Sequence, residues 1–488
     1  MITLQDINTV IEKGPYQADW NSLGDFSVPK WFQQAKFGIF IHWGLYSVPA
    51  FGNEWYARNM YRESHPEFTH HIKTYGPQKK FGFKDFIPFF QAEKFDATDW
   101  VSLFKQAGAK YICPVAEHHD GFQMYDSEIS EFNAVQMGPK KDVLGLLKEA
   151  AKTENLHFCT SSHRAEHWWF FNGGKHFESD VNTELVKGDL YWPAEGEPDH
   201  QDVLSVPYPS EEFVEDWLLR TCELVRNYQP QFLYFDWWVQ HDAFKEALKK
   251  LVAYYYNYAD SQGVQAAVCY KHDALAFGSG IPEVERGKFK DAKPFYWQTD
   301  TAIARNSWCY TTTLDYKNIS EIVIDLIETV SKNGNLLLNV GPKADGSIDE
   351  KDKDILLGIG RWLEVNGQGI YDSKVWRSQS EGPTEITEGQ FQDQVKLTYT
   401  SQDIRYTCKG NSVYAFILGS VMDQKVILES LSISEDQNNL KFHGIIEEVV
   451  LLGYGSVEFS HEMSGLEVSI PEDLRGNDLP LGIQIKLK

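Results

Sequence analysis

Asp236 ends the run Phe232-Leu233-Tyr234-Phe235 and is followed by Trp237 and Trp238. Four apolar residues after an amphipathic stretch fit a strand buried on both faces. A polar residue at the C-terminal end of such a strand lies on the edge where barrel and open α/β enzymes do their chemistry. A carboxylate among aromatics is costly to bury without a partner or a task, and the task that suits it is nucleophilic attack on a glycoside. Three other expected strand ends carry groups of similar character: His42, the pair His118 and His119, and His163 with Glu166. A single histidine at a strand end is an ordinary hydrogen-bonded residue. Several on consecutive strands of one barrel converge on one mouth.

Three chemistries are open to this set. Retaining glycoside hydrolysis needs two carboxyl groups about 5–5.5 Å apart, one to attack and one to pass a proton. Asp236 fits the first role, and Glu54, Glu117, Glu166, Glu283 and Glu285 are candidates for the second. Metal-assisted hydrolysis by a barrel enzyme could draw on His42, His118, His119, His163 and Asp236, all ligand types that zinc accepts. No HxH or HExxH spacing is present, and neighbours on a strand point to opposite faces, so His118 and His119 are not expected to share one metal. The third possibility is a sugar-binding protein without catalysis. No glycine-rich phosphate loop and no GxSxG elbow occur, which removes nucleotide and serine-hydrolase chemistry.

The elements that must position these groups alternate regularly. Strands are expected at Lys36 to Ile41, Lys110 to Val115, Leu156 to Ser161, Phe232 to Phe235, Val264 to Tyr270, Phe295 to Asp300 and Asn335 to Val340. Helices fall between them: Asp96 offers an N-cap for one ending near Ala107, and others run from about Lys141 to Thr153, Ala243 to Ala259, Ile319 to Lys332 and Lys351 to Asn366. Ser210 caps a helix whose apolar face is Phe213, Val214, Trp217, Leu218, Leu224 and Val225, with Thr221 filling the remaining turn. Gly280 to Gly287 reads as a loop, and residues 1–30 as a polar lead-in. Residues 62–94 and 170–208 are long excursions, expected to act as lid or to shape the choice of substrate linkage. The fold class is α/β, a TIM-like (β/α) barrel of regular or irregular form over residues 1–371. Residues 372–488 carry short alternating strands, as at Asn411 to Leu418, Lys425 to Leu431, Ile445 to Leu452 and Ile483 to Lys488, and are expected to form a C-terminal antiparallel β-sandwich.

Bulk composition narrows the partners. A 488-residue chain is too long for one ordinary core. Acidic residues outnumber basic ones by 70 to 46, a formal charge of −24, which disfavours nucleic-acid and anionic-lipid backbones. No apolar run reaches the length of a membrane span. The six cysteines include no CxxC pair, and Cys113, Cys159 and Cys269 are expected as small buried hydrophobes. The first residues have no basic or apolar leader character, so the chain is either cytoplasmic or the periplasmic or secreted product of signal-peptide removal. Composition leaves the oligomeric state open.

Four strings carry a resemblance: Phe37-Gly38-Ile39-Phe40-Ile41-His42-Trp43-Gly44, Glu54-Trp55-Tyr56, His118-His119-Asp120-Gly121-Phe122, and Asn333-Gly334-Asn335-Leu336-Leu337-Leu338-Asn339-Val340-Gly341-Pro342. In this order, with an Asp-ended strand among them, they resemble the retaining α-L-fucosidases of glycoside hydrolase family 29 over residues 30 to 370. The resemblance implies an exo-acting hydrolase that removes terminal α-L-fucose from glycans or glycoconjugates through a covalent fucosyl-enzyme, with neither cofactor nor metal. It implies Asp236 as nucleophile and His42, Glu54, Trp55, His118 and His119 as sugar-binding residues. Trp308 matches the aromatic of the family's Ser-aromatic-Gly-Tyr motif, although Cys309 stands where glycine is usual. The family's acid/base glutamate precedes the Trp297 strand, where both Glu283 and Glu285 fit. Glu285 is preferred because Arg286 and Gly287 beside it look like the family's more constrained segment. Fucose is a 6-deoxy sugar, and its methyl group calls for an apolar wall to which Trp308 or Tyr234 would contribute.

Overall fold

The structure is a computed structural model that describes residues 1–200, 202–433 and 441–488. Its first part is a closed parallel barrel. The strands are β1 (Phe37–Ile41), β2 (Tyr111–Glu117), β3 (His157–Phe158), β4 (Thr160–Ser162), β5 (Phe232–Phe235), β6 (Ala267–Tyr270), β7 (Ile281–Glu285), β8 (Trp297–Ala302) and β9 (Gly334–Val340). They run in the order β1-β9-β8-β7-β6-β5-β4-β2, and parallel pairing of β1 with β2 shuts the ring. The short β3 pairs with the start of β2 as an extra strand.

Period-two alternation within these buried strands separates two apolar layers. On β1, Phe37, Ile39 and Ile41 face the helices, whereas Phe40 faces the barrel axis. On β5, Leu233 and Phe235 face out, and Phe232 and Tyr234 face in. Gly38 has the inward parity of Phe40, and a Cβ there would stand 2.4 Å from the Tyr111 ring. A side chain at Gly38 would collide with that ring, which fills this part of the inward face.

Six helices cover the barrel. They are α1 (Ala97–Gln106), α2 (Val143–Thr153), α3 (Glu211–Tyr228), α4 (Lys245–Ser261), α5 (Ile319–Val330) and α6 (Glu350–Asn366). Their starts follow the expected chemistry: Asp96 accepts from the Thr98 and Asp99 amides, and Ser210 Oγ accepts from Phe213 N at 3.2 Å. In the buried stripe of α3, Thr221 satisfies its hydroxyl on the Trp217 carbonyl at 2.7 Å. The residues before β1 are more than a polar lead-in, because Leu4–Lys13 forms a helix capped by Thr3 that packs on α4.

The stretch from Gly280 to Gly287 is a correction to the loop expected there: Ile281–Glu285 is a strand, paired in parallel with β6 and β8. No helix joins β6 to β7 or β7 to β8, so the barrel is the irregular variant of the expected fold. The strand carries two glutamates and Pro282, and no helix announces it. That composition hides it, because strand recognition leans on apolar alternation and on flanking helices.

Among the described residues two antiparallel sheets follow, one of six strands beginning at Lys374–Glu381 and one of three. They share a core of Ile404, Tyr406, Val413, Ala415 and Ile417 against Val426, Leu428, Leu466 and Val468. The strand Ser412–Ile417 is buried on both faces, since Tyr414 and Phe416 belong to the barrel's core, with Phe416 5.9 Å from Trp362 of α6. A buried ion pair between Arg405 and Glu328 of α5, at 2.6 Å, adds to the seam. The expected sandwich is thus fastened to the barrel through a strand that serves two cores. No helix among the described residues is long and apolar enough to cross a membrane.

Candidate active site

The same alternation that builds the barrel places its polar groups. Continuing the inward parity past each strand's last apolar residue reaches His42 after β1, Asp236 after β5 and Lys271 after β6. It also reaches Glu283 and Glu285 on β7, Asp300 on β8 and Asn339 on β9. All come from the C-terminal ends of their strands. There a cavity of about 300 Å³ opens, lined by Phe40, His42, Glu54, His118, Asp236, Lys271, Glu285 and Trp308 among others.

Asp236 lies at its centre. Its Oδ1 accepts from Lys271 Nζ at 2.8 Å and from the Trp237 amide at 2.8 Å, and its Oδ2 accepts from His163 Nδ1 at 2.9 Å. Burial alone would raise its pKa. The Lys271 ammonium and the His163 hydrogen bond outweigh it and hold the carboxyl well below the usual range. A carboxylate only accepts, so His163 donates from Nδ1, and its Nε2 lies 2.9 Å from Ser161 Oγ.

Glu285 is the second carboxylate on the cavity wall. Its Oε2 also lies 2.8 Å from Lys271 Nζ. Burial comes first in its environment and the negative charge of Asp236 adds to it. Together they overcome the lysine and push its pKa up to about 7. Glu283 shares the parity of Glu285 but sits one layer deeper, its side chain fully buried and 3.9 Å from Lys271. Its Oε1 accepts from the Asp300 amide at 3.0 Å, and burial with the neighbouring Asp300 charge pushes its pKa well up. Two residues of strand are about 6.6 Å of rise, so depth along β7, which sequence does not show, separates the two glutamates.

The remaining sequence candidates divide between the cavity and its supports. Glu54 is buried at the wall and accepts from the Trp308 amide at 3.0 Å; burial raises its pKa. Trp55 lies beside His119, ring centroids 5.3 Å apart. Tyr234 lines the floor and donates to Asp300 Oδ2 at 2.9 Å. Trp308 stacks on His42 and is backed by the Arg286 guanidinium, 4.3 Å from its ring. Cys309, where glycine is usual, is a buried free thiol, and Ser307 Oγ donates to its carbonyl at 2.8 Å. Glu117 is no part of the cavity and pairs with Arg164 at 2.5 Å. Glu166 is also off the wall, fully buried 3.1 Å from His119 Nδ1.

His118 and His119 do not point to opposite faces. The chain leaves β2 at Glu117 and turns, with Gly121 N donating to the His118 carbonyl, so both rings reach the cavity with centroids 4.3 Å apart. The face rule applies to a continuing strand, and here the strand has ended. His42 donates from Nδ1 to Asn339 Oδ1 at 2.6 Å, and Asn339 in turn donates to the Trp308 carbonyl. His119 donates from Nδ1 to the His163 carbonyl at 2.8 Å. Burial keeps His42 and His118 well below their usual pKa and brings His119 down to about 3. Neutral imidazoles with Nδ1 committed leave Nε2 of His42 and of His119 as acceptors, that of His119 3.5 Å from Asp236 Oδ2.

Among the described residues two sets could hold a metal: His42, His118 and His163, and His119, His163 and Asp236, the ligand atoms of each set within 4.8 Å of one another. His118 and His119 fall in different sets.

Lys271, Asp300 and Asn339 were absent from the expected site. Lys271 and Asn339 have a signal in parity, each standing two residues beyond an inward apolar residue of its strand, Cys269 and Leu337, whereas Asp300 stands two beyond the polar Gln298. His163, a strand-end candidate from sequence, is drawn in as the partner of Asp236. Phe391, from beyond the barrel's last helix, also lines the cavity, and no residue of 62–94 or 170–208 among those described does so.

Known proteins agree with this architecture. The α-L-fucosidase family model matches residues 3–368, and the model of the α-L-fucosidase C-terminal domain matches residues 398–488. Human plasma α-L-fucosidase is 33% identical over 405 residues, covering 79% of this chain and 78% of that protein. Rat tissue α-L-fucosidase is 32% identical over 436 residues, covering 85% and 81%. The crystal structure of Thermotoga maritima α-fucosidase in complex with a mechanism-based inhibitor superposes with a TM-score of 0.75 at 30% identity, covering 96% of this chain and all of that one. Its sequence, its barrel with appended antiparallel sheets and its paired carboxylates at the barrel mouth together place this chain in the α-L-fucosidase family, glycoside hydrolase family 29, as a glycosidase that releases fucose.

Proposed function

We propose that the enzyme is a retaining exo-α-L-fucosidase that removes terminal fucose from glycans or glycoconjugates by double displacement. Asp236 attacks the anomeric carbon while Glu285 protonates the departing glycosidic oxygen. Glu285 then takes a proton from water as that water releases fucose from Asp236. The observation that carries the reading is the shared lysine. Asp236 Oδ1 and Glu285 Oε2 each lie 2.8 Å from Lys271 Nζ, so these oxygens are no more than twice that distance apart. This suits the spacing of about 5–5.5 Å for retention and falls short of the roughly 6.5–9.5 Å that leaves room for water in inversion. The opposite pKa directions of the two groups supply an ionised nucleophile and a protonated acid at one pH. The mechanism-based inhibitor bound by the Thermotoga enzyme agrees with such chemistry.

The rest of the cavity suits one sugar. His42, His119 and Glu54 offer acceptors for hydroxyl groups, and Phe40 and Trp308 form an apolar wall for the C6 methyl. Following hydrolysis by proton NMR is expected to show α-L-fucose as the first product, with the β-anomer appearing only by mutarotation. A β-anomer formed first would overturn the mechanism. No step is assigned to a metal, so kcat is expected to stay within about twofold after exhaustive dialysis against a chelator. Activity that is lost and then restored by zinc would favour metal-assisted hydrolysis on one of the histidine sets.

Lys271 favours the ionised form of both carboxyls. Lys271→Met is therefore expected to move the basic limb of the kcat/KM profile upward by about one pH unit or more. A limb that stays in place would show that the lysine does not govern the group carrying the proton.

A further inference from the structure

We propose that Phe391 is the platform of a leaving-group subsite, on which the sugar attached to fucose rests an apolar ring face. The inference rests on the fucosidase reading above and adds what holds the other half of the substrate. An acid must reach the glycosidic oxygen, so whatever that oxygen carries leaves the cavity past Glu285. The segment lying there is 389–395, which enters the sequence after the barrel's last helix. Phe391 N donates to the Glu285 carbonyl at 3.0 Å, and the Gln392 and Asp393 amides both donate to the Arg286 carbonyl. Lys288 and Gly389 exchange backbone bonds at 3.0 and 2.9 Å. Asp393 anchors the segment further, accepting from Arg286 Nη1, Lys317 Nζ and Thr301 Oγ1.

This strap holds Phe391 in a conformation a bulky residue rarely adopts. Its φ is +55°, and that of Arg286 opposite is +44°. Glycine or asparagine would take the left-handed turn with less strain. The phenyl ring does not repay that strain by burial, since Phe391 is 52% exposed while lining the cavity. A ring held out at the mouth, tied by its backbone to the strand end bearing Glu285, is placed for contact with a ligand. Gln390 Nε2 and His272 Nδ1, 3.5 Å apart beside it, offer polar partners for hydroxyl groups. Among the described residues, the long excursions expected to shape linkage preference give the cavity no wall, and the strap does.

The test compares wild type, Phe391→Ala and Phe391→Trp on two substrates: the best hydrolysed member of a panel of α-L-fucosyl disaccharides, and α-L-fucosyl fluoride, whose leaving group fills no sugar subsite. Phe391→Ala is expected to lower kcat/KM for the disaccharide about tenfold more than for the fluoride. Phe391→Trp is expected to recover most of the difference, and the basic limb of the disaccharide pH profile should not move. Equal losses on both substrates, or none on either, would overturn the platform. A selective loss with a shifted basic limb would also overturn it, because Phe391 would then act by positioning Glu285. If wild type cleaves neither substrate, the fucosidase reading itself fails, an outcome distinct from the others.

Discussion

Replacing Asp236 by alanine is expected to lower kcat on an aryl α-L-fucoside by about 10⁴-fold or more, in the range seen when a residue that forms the covalent intermediate is lost. The aryl group is a good leaving group, so the loss reports the attack and not the proton transfer. Fucose should still bind, because His42, His119 and Glu54 keep their own supports in Asn339, the His163 carbonyl and the Trp308 amide. The removed carboxylate leaves a space beside Lys271 and His163 that an anion such as azide can enter. Azide attacking from there displaces the aryl group once, and the product is the inverted β-L-fucosyl azide. Turnover within tenfold of wild type, or an α-azide product, would remove Asp236 from the nucleophile's role.

Glu285→Ala tests the partner. On a fucosylated oligosaccharide, whose leaving group needs a proton, kcat/KM is expected to fall by about 10²–10⁴-fold. On the aryl fucoside the first step survives and the fucosyl-enzyme accumulates. Azide can then replace water, and the product keeps the α-configuration. The pH profile gives an independent reading. The active form has Asp236 ionised and Glu285 protonated. Burial and the Asp236 charge bring the pKa of Glu285 to about 7, so wild-type kcat/KM should decline as pH rises through about 7. Asp236 is held below the ordinary carboxylate range by the Lys271 ammonium and the His163 hydrogen bond and should stay ionised across the pH range in which Glu285 titrates. The two groups share Lys271, so the limbs belong to the pair. In Glu285→Gln the decline near pH 7 should vanish. If it persists there and disappears in Glu283→Gln, the acid/base is the deeper glutamate.

Period-two alternation explains why much of this site was legible before any coordinates. It marks Phe232 and Tyr234 as one face, and Asp236 falls on it at the chemically active edge. The same reasoning applied to Ala267 and Cys269 leads to Lys271, and applied to Leu337 to Asn339. Parity alone does not single those residues out, because lysine and asparagine at a strand end are also ordinary turn residues. The choice between Glu283 and Glu285 lay beyond alternation, since both have the same parity. Strand β7 itself was hidden, with two glutamates, a proline and no crossover helix on either side.

By itself the sequence determined the local and periodic features: strand faces, helix starts at Asp96 and Ser210, the barrel with its appended β-domain, and Asp236 at a strand end. The strand faces and helix starts depend on residues a few positions apart, where backbone geometry fixes the outcome, and the barrel follows from the alternation of strands and helices along the chain. Only the tertiary structure decided the features set by long-range packing. These are the depth of each glutamate along β7, the lysine shared by Asp236 and Glu285 from two different strands, the turn that brings both His118 and His119 inward, and the arrival of Phe391 at the mouth from beyond the barrel. The physical reason is distance along the chain. Phe391 lies more than 100 residues from Glu285, yet its amide donates to the Glu285 carbonyl at 3.0 Å. No local propensity encodes such a contact, and only closure of the barrel and docking of the later segment bring it about.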